Sequence, residues 1–227
     1  MSFPSSRVAL ARNAFVGPSA VPALPTGRGD LFSKRAVDLV GSLLLMTAAL
    51  PIYLACAVLI KLTSPGPIFF RQRRLGMGGR EFWCYKFRTM VTDAEEQLAS
   101  RPGLRSDFEA NYKLQDDPRV TQVGGFLRRS SLDEFPQLWN VVRGDMSLIG
   151  PRPIVSPELS KYGTHAHQLL SVKPGLGGLW QVNGRSNTTY EERVALDLAY
   201  VHNRSLELDL RLLACTAWVV LRGRGSC

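Results

Sequence analysis

From Leu39 to Ile60 the chain carries no charged residue: LVGSLLLMTAALPIYLACAVLI, closed by Lys61. About 20 apolar residues cross the hydrocarbon of a bilayer, so a run of this size is a candidate for membrane insertion. Burial in a protein core is the other way to hide it, but core helices are usually shorter and keep a polar face. Here only Ser42 and Thr47 break the apolar character. Pro51 lacks the N–H that would bond the carbonyl of Thr47, so a kink is expected inside the run. Basic residues flank both ends, Lys34 and Arg35 before it and Lys61, Arg71, Arg73 and Arg74 after it. Such residues tend to stay on the cytoplasmic side. Positive flanks on both sides favour a helix that enters, bends at Pro51 and returns over a single-pass anchor with its domain outside. Ser42 and Thr47 would then satisfy carbonyls freed near the bend.

This run divides the chain of 227 residues into an extension at 1–30, a membrane re-entrant helix at 31–62 and a cytosolic domain at 63–224. The first segment holds Pro4, Pro18, Pro22 and Pro25 with scattered arginines and reads as a disordered basic extension. A hydrophobic share of 45% excludes a polytopic membrane protein and a fully disordered chain. The net charge of +9 calls for an anionic partner: nucleic acid, a phosphorylated substrate or the cytoplasmic leaflet. Cys56, Cys84, Cys215 and Cys227 form no close pair, which excludes a zinc site or disulfide framework and suits a reducing compartment. His165 and His167 have no third ligand nearby and read as a solvated loop.

The domain reads as mainly α with a small β-hairpin. Pro67-Ile-Phe-Phe, the turn of Gly76, Gly78 and Gly79, and the alternating Arg80 to Thr89 predict that hairpin, with basic residues at its tip and ends. The glycines do not form a dinucleotide-binding fingerprint. Thr92-x-x-Glu95 predicts a short capped helix, residues 101–116 a loop, and Asp117-Pro118 the start of a helix towards Arg129. Thr189-x-x-Glu192 predicts another, with Val194, Leu198 and Val201 on one stripe. The last helix, from about Ser205, is apolar from Leu212 to Leu221, too short to span, and suited to the interface or the underside of the domain, with Trp218 at headgroup level.

The densest polar constellation is Arg128-Arg-Ser-Ser-Leu-Asp133-Glu134-Phe-Pro136. One reading is a capping box from Ser131 to Glu134. Pro136 opposes it, because in that register its missing N–H falls inside the helix, whereas a helix starting at Leu132 or Asp133 leaves Pro136 among the free donors. Asp133 and Glu134 would then crowd a positive helix end beside Arg128 and Arg129, which favours the ionised carboxylate. That is a sound nucleophile or Mg²⁺ ligand. From spacing alone, catalytic pair and structural cap stand level. Further on, Pro151 and Pro153 fix the backbone around Arg152, which suits bidentate phosphate contact or an internal ion pair. Lys173-Pro-Gly-Leu-Gly-Gly-Leu-Trp180-Gln-Val-Asn183-Gly-Arg185 adds a Gly-rich turn, a short strand and another arginine.

KRAVDLV, YKFRTM, SSLDEFPQLWNVVRGDMSLIGPRP and KPGLGGLWQVNGRS, in this order after one proline-broken apolar helix, resemble the bacterial sugar transferase family, the monotopic polyprenyl-phosphate phosphoglycosyl transferases. Within it the chain is most similar to exopolysaccharide enzymes that move galactose-1-phosphate onto undecaprenyl phosphate. The resemblance covers about residues 31–224. It implies a monotopic protein of the bacterial inner membrane, with a compact catalytic domain on the cytoplasmic face and interfacial amphipathic helices. It also implies a two-step reaction. Asp133 attacks the β-phosphorus of a UDP-sugar, UMP leaves, and undecaprenyl phosphate takes the phosphosugar from the aspartyl intermediate. Glu134 completes the dyad, and Mg²⁺ sits on Asp133, Glu134 and the diphosphate. Arg128, Arg152 and Arg185 fall at phosphate- or substrate-binding positions, with Lys86 or Arg88 joining them, and Pro51 matches the family's helix breaker. Downstream glycosyltransferases would take the product, and nucleic acid is not implied. The rival reading is a membrane-tethered, non-catalytic protein binding nucleic acid or an anionic polymer, but no recognisable RNA-binding motif interleaves its aromatics with the basic residues. Gly177 stands where the family usually has Thr, and the chain ends Gly-Ser-Cys where many relatives have Gly-Ala-Tyr. No motif here separates galactose from glucose.

Overall fold

A computed structural model describes residues 28–111, 114, 117–182 and 189–221. Its helices are α1 (Arg28–Ala48), α2 (Leu50–Thr63), α3 (Ala94–Ala99), α4 (Pro102–Asn111), α5 (Gln122–Ser130), α6 (Gln137–Arg143), α7 (Ala166–Leu169), α8 (Leu179–Val182), α9 (Tyr190–Asn203) and α10 (Leu206–Leu221). The strands are β1 (Phe69–Leu75), β2 (Glu81–Phe87), β3 (Ser147–Ile149) and β4 (Gly175–Gly177). The predicted hairpin forms from β1 and β2, antiparallel from Phe69 opposite Phe87 to Leu75 opposite Glu81. A second pair, β3 with β4, is parallel and was not anticipated. Parallel strands need a long crossover, here a 3₁₀ segment (Ser156–His165) and α7.

The apolar run becomes α1 and α2, bent by 60° at Ala49. Pro51 stands in the first turn of α2, where a missing N–H breaks no bond within that helix. No single helix among the described residues is long and apolar enough to cross a membrane, whereas the bent pair together has the length and composition of a broken span or re-entrant loop. Along α2, Cys56 (3% exposed) and Ile60 (2%) pack with Tyr53 against Val123 and Leu127 of α5, while Leu54 (61%) and Leu62 (78%) face outward. The helix is two-faced rather than wholly lipid-facing or wholly core.

The expected roles of four polar residues in this region need correction. Thr47 Oγ1 donates to the Leu43 carbonyl (2.9 Å), a turn before the break, and Ser42 Oγ is buried without a partner. Neither hydroxyl serves the bend. Lys34 and Arg35 are not free flanking charges. Lys34 Nζ donates to Asp209 (2.6 Å) and to the Ile149 carbonyl (3.0 Å), while Arg35 donates to the Val141 and Val142 carbonyls at the end of α6. Both are spent on docking α1. Buried Asp38 completes the joint by accepting from Ser147 Oγ (2.9 Å) and the Leu148 amide (2.8 Å).

Other boundaries shift for local reasons. Residues expected as a loop form α4, opened by Pro102 in its first turn. Asp93, not Thr92, precedes α3, and no side-chain cap forms there. Thr121, not Asp117, caps α5 by accepting from the Gly124 amide (2.9 Å), because Asp117 is taken by Arg119 (2.7 Å). The capping box at Thr189 and Glu192 forms as expected. Below it, however, α9 buries Leu196, Asp197, Ala199 and Tyr200 rather than the Val194, Leu198 and Val201 stripe. Its inward polar groups are used: Tyr200 OH donates to Asp209 (2.7 Å), and Tyr162 OH donates to Asp197 (2.8 Å). Leu212 of α10 packs on Ile149 and Tyr200, so this helix lies against the domain; the side chain of Trp218 falls outside the described part. His165 and His167 are exposed, as expected, but they lie in the 3₁₀ segment and α7 rather than in a loop.

Close backbone approach explains the glycines of β4. A Cβ on Gly175 would lie 2.0 Å from the Gly150 amide nitrogen, whereas one on Gly177 would meet Ile149 Cδ1 at 3.0 Å and Thr216 Oγ1 at 3.1 Å. Gly175→Ala should therefore cost more than the roughly 1–3 kcal/mol typical of overpacking, and Gly177→Ala distinctly less. Urea unfolding of the two variants in detergent checks the order, and equal losses would contradict it.

Asp197 is 1% exposed, and its Oδ1 has no hydrogen-bond partner among the described residues. Burial pushes its carboxyl up to about 7, against the pull of Tyr162 and Arg193. Between its ordinary value and that one, the native state keeps a proton that the unfolded chain has lost, so this group's contribution to stability falls as pH rises through that window. Asp197→Asn keeps an acceptor for Tyr162 and removes the charge. It should be near neutral at about pH 4 and stabilising by on the order of 2 kcal/mol at about pH 8. Melting curves of variant and parent across that range test this, and a flat difference would refute it.

Candidate active site

The carboxylate pair sits on a short turn between two helices. Gly124 lets α5 lie against the strand leaving β2, since a Cβ there would be 2.0 Å from the Thr89 carbonyl oxygen. That contact brings Arg128 Nε to Thr89 Oγ1 (2.9 Å). Ser131 then turns the chain in the left-handed region (φ 59°), a conformation unusual for a residue with a Cβ. A single 3₁₀ turn, Leu132–Glu134, carries Asp133 and Glu134, and Pro136 precedes the first residue of α6. The capping box from Ser131 does not form, and Pro136 leaves no hydrogen bond broken inside a helix.

β2 brings Lys86 to this turn. Asn140, fully buried on α6, fixes that strand by accepting from the Tyr85 amide (3.1 Å) and donating to the Trp83 carbonyl (2.7 Å). Lys86 Nζ lies 2.6 Å from Glu134 Oε1 and 4.0 Å from Asp133 Oδ2. Glu134 is held well below the ordinary range, to about 2: burial opposes this, but Lys86 and Arg152 outweigh it. Asp133 (8% exposed) goes the other way. Burial, with the adjacent Glu134 charge, raises it to about 6 in spite of Lys86 and Arg128. The expectation that the surroundings favour an ionised Asp133 is thus corrected: desolvation outweighs the cations, and the proton the pair retains longest belongs to Asp133.

The structure gathers most of the expected basic residues here, but not all. Arg152, in irregular backbone between its prolines, stacks over Trp180 (5.3 Å) and lines a small, open cleft with Arg74, Lys86, Glu134, Gln137 and Gln181. Asp133 is not part of that wall and is joined to it by Lys86. Arg88 is not brought to the pair. Its guanidinium donates to the Ser64 and Pro65 carbonyls and to Ser64 Oγ, fastening the end of α2. Arg185 lies outside the described residues. Arg74, missed in the sequence, turns inward to Glu158 (3.3 Å) and the Pro153 carbonyl (3.0 Å) at the cleft. Gln137 and Asn140 were missed too. The available signal was their type, polar residues at the buried positions of a short helix beside Leu138 and Val141.

Among the described residues no group of three or more His, Cys, Asp or Glu converges. Mg²⁺ is commonly held by one or two carboxylates together with substrate phosphates, so the donors Asp133 and Glu134 fit that ion in the presence of a diphosphate. Chemically, the site combines a buried carboxyl, a second carboxylate kept ionised by Lys86, and guanidinium and ammonium groups aimed at one small cleft. This suits nucleophilic displacement at a phosphorus whose negative charge must be offset.

Comparison with known proteins agrees with this chemistry. The undecaprenyl-phosphate galactose phosphotransferase of Salmonella typhimurium is 45% identical over 204 residues, 88% of this chain and 42% of that protein. The UDP-galactose-lipid carrier transferase of Erwinia amylovora is 44% identical over 199 residues, covering 86% of this chain and 42% of its own length. This chain thus spans well under half of those two longer relatives. The exopolysaccharide production protein ExoY of Sinorhizobium fredii is 44% identical, with 86% of this chain matched to 88% of that one. Residues 29–223 match the profile described as bacterial sugar transferase, and the chain belongs to that family.

Proposed function

We propose that the protein transfers a hexose-1-phosphate from UDP-galactose or UDP-glucose to undecaprenyl phosphate, releasing UMP, as the first membrane step of exopolysaccharide synthesis. The observation that carries this reading is the buried Asp133 beside a Lys86-bound Glu134, with cations converging from β2, α5 and the Arg152 loop. Family membership and the names of the relatives support the donor and acceptor classes.

In the first step an Asp133 oxygen forms a bond to the β-phosphorus while the bond from that phosphorus to the bridging oxygen of UMP breaks, and UMP departs with the electron pair. In the second, a phosphate oxygen of undecaprenyl phosphate bonds the same phosphorus and the acyl-phosphate bond to Asp133 breaks, returning the carboxylate. Asp133, raised only to about 6, is largely ionised near neutral pH and attacks as the carboxylate, while Glu134 stays ionised beside Lys86. Lys86, Arg128 and Arg152 offset the charge of two anionic substrates in a poorly solvated place, where such groups act most strongly. Mg²⁺, when held by Asp133, Glu134 and the diphosphate, would supply further charge neutralisation.

The outward leucines of α1 and α2 support a re-entrant insertion into the bacterial inner membrane from its cytoplasmic face, bent at Ala49 just before Pro51, with the domain held at headgroup level. The non-catalytic binding alternative is disfavoured, because Lys34, Arg35, Arg74, Arg88 and Arg119 are all committed to partners inside the protein.

UMP release by the detergent-purified protein, dependent on undecaprenyl phosphate and Mg²⁺, is the direct test. Asp133→Asn should lower kcat by on the order of a thousandfold or more, and Lys86→Met by about a hundredfold. Full turnover by Asp133→Asn would remove the nucleophile assignment. For topology, cysteines introduced at Ser19 and Ser100 should both be shielded from a membrane-impermeant maleimide in intact cells and both react after permeabilisation. Reaction of only one from outside would mean a crossing instead.

A further inference from the structure

The turn that carries Asp133 is loosely bonded within itself. The backbone bonds that close it are long, from the Glu134 amide to the Ser131 carbonyl (3.4 Å) and from the Phe135 amide to the Leu132 carbonyl (3.2 Å). No described residue donates a hydrogen bond to the Asp133 carboxylate, and Lys86 Nζ stands 4.0 Å from it. Asp133 therefore takes its position from the backbone beneath it. Both ends of that backbone are anchored on α2. Leu132, just before Asp133, packs into the cluster that Tyr53, Cys56 and Ile60 form with Phe87 and Leu127. Phe135, just after Glu134, has its carbonyl held by the Tyr53 hydroxyl. The same carbonyl takes the Leu138 amide (3.0 Å) at the start of α6. A carbonyl oxygen has two lone pairs, so the phenol completes its bonding rather than competing for it. The Tyr53 ring packs on Phe87 (centroids 5.4 Å apart) and Phe135 (6.1 Å). Its amide donates to the Ala49 carbonyl (2.9 Å), one turn after the bend, so the direction taken there fixes where the phenol arrives.

We propose that Tyr53 is a positioning residue for the displacement: by holding the Phe135 carbonyl it sets where the Asp133 oxygens stand, and it makes the attack depend on how α2 is seated. This rests on the phosphosugar-transfer reading above. Attack on phosphorus needs the reacting atoms about 3–3.5 Å apart and aligned, and a displacement of about 1 Å can cost roughly a hundredfold in rate. Donor binding is assigned to Lys86, Arg128 and Arg152, and Tyr53 bonds none of them. Loss of the phenol should therefore slow the chemical step and spare binding.

Tyr53→Phe keeps the ring and removes only the hydroxyl. The test follows a single turnover of UMP release from UDP-galactose or UDP-glucose by the full chain in detergent, without undecaprenyl phosphate, so that only attack by Asp133 is read. At saturating donor the rate should fall about tenfold. The donor concentration giving half that rate, and inhibition by UMP, should stay unchanged. Leu132→Ala loosens the other anchor and should give the same split, which keeps the proposal open to refutation if Tyr53→Phe does not fold. Tyr200→Phe serves as the control: it deletes a phenol bond to Asp209 elsewhere in the domain and should lower the melting temperature without slowing the turnover. An unchanged rate in folded Tyr53→Phe, or a loss of donor affinity in step with the rate, would overturn the proposal. An equal slowing by Tyr200→Phe would mean a general loosening and overturn it too. A parent that releases no UMP in that turnover would instead remove the two-step reaction on which it rests.

Discussion

Everything in this molecule hangs from the joint made by Lys34, Arg35 and Asp38. Within little more than one helical turn, these residues tie α1 to the ends of α6, β3 and α10. Arg35 closes carbonyls that the end of α6 would leave unsatisfied, where a cation is also favoured by the helix dipole. Asp38 is buried and uses one oxygen for both Ser147 and Leu148, so β3 cannot shift without stranding a carboxyl. The joint sets the direction in which α1 leaves the domain, and the bend at Ala49 then returns α2 onto α5. From there Tyr53 OH donates to the Phe135 carbonyl, directly behind the carboxylate pair. A continuous set of contacts therefore runs from the apolar helices to the turn that carries Asp133.

The excess of positive charge takes on a different meaning once its partners are known. Arg88 fastens the end of α2, Arg119 closes on Asp117, and Arg74 and Arg193 share the buried Glu158. Lys86 and Arg152 remain at the cleft with Glu134. Among these basic residues with described partners two groups stand out. One works as internal struts between elements distant in sequence, and the other is concentrated on a site suited to phosphate.

Much of this was legible from the residues. The proline-broken apolar run, the hairpin and the capping box at Thr189 follow from local pattern. The placing of Lys86 or Arg88 at the carboxylate pair came only from the family resemblance, and the choice between them is decided by the fold. The misses share a cause, in that each depends on what a polar side chain finds across the fold. Asp117 looks like a helix cap until Arg119 claims it. The stripe expected on α9 leaves out Asp197, which Tyr162 meets in the interior. The parallel pairing of β3 with β4 depends on the contact between Gly150 and Gly175, which no periodicity records. Likewise, counting charges around Asp133 favoured ionisation, and only its burial reversed the direction.

The two-faced burial of α2 bears on modularity. A membrane segment that merely tethers a domain can be removed and leave a soluble remainder. Here the same helix supplies Cys56 and Ile60 to a core shared with Phe87 and Leu127, and Arg88 closes the carbonyls of Ser64 and Pro65 just beyond its end. A chain shortened to begin after Thr63 would strip Cys56 and Ile60 from that core and expose the faces of Phe87 and Leu127 packed against them. α2 is in this sense part of the domain's interior, whatever its outward leucines face.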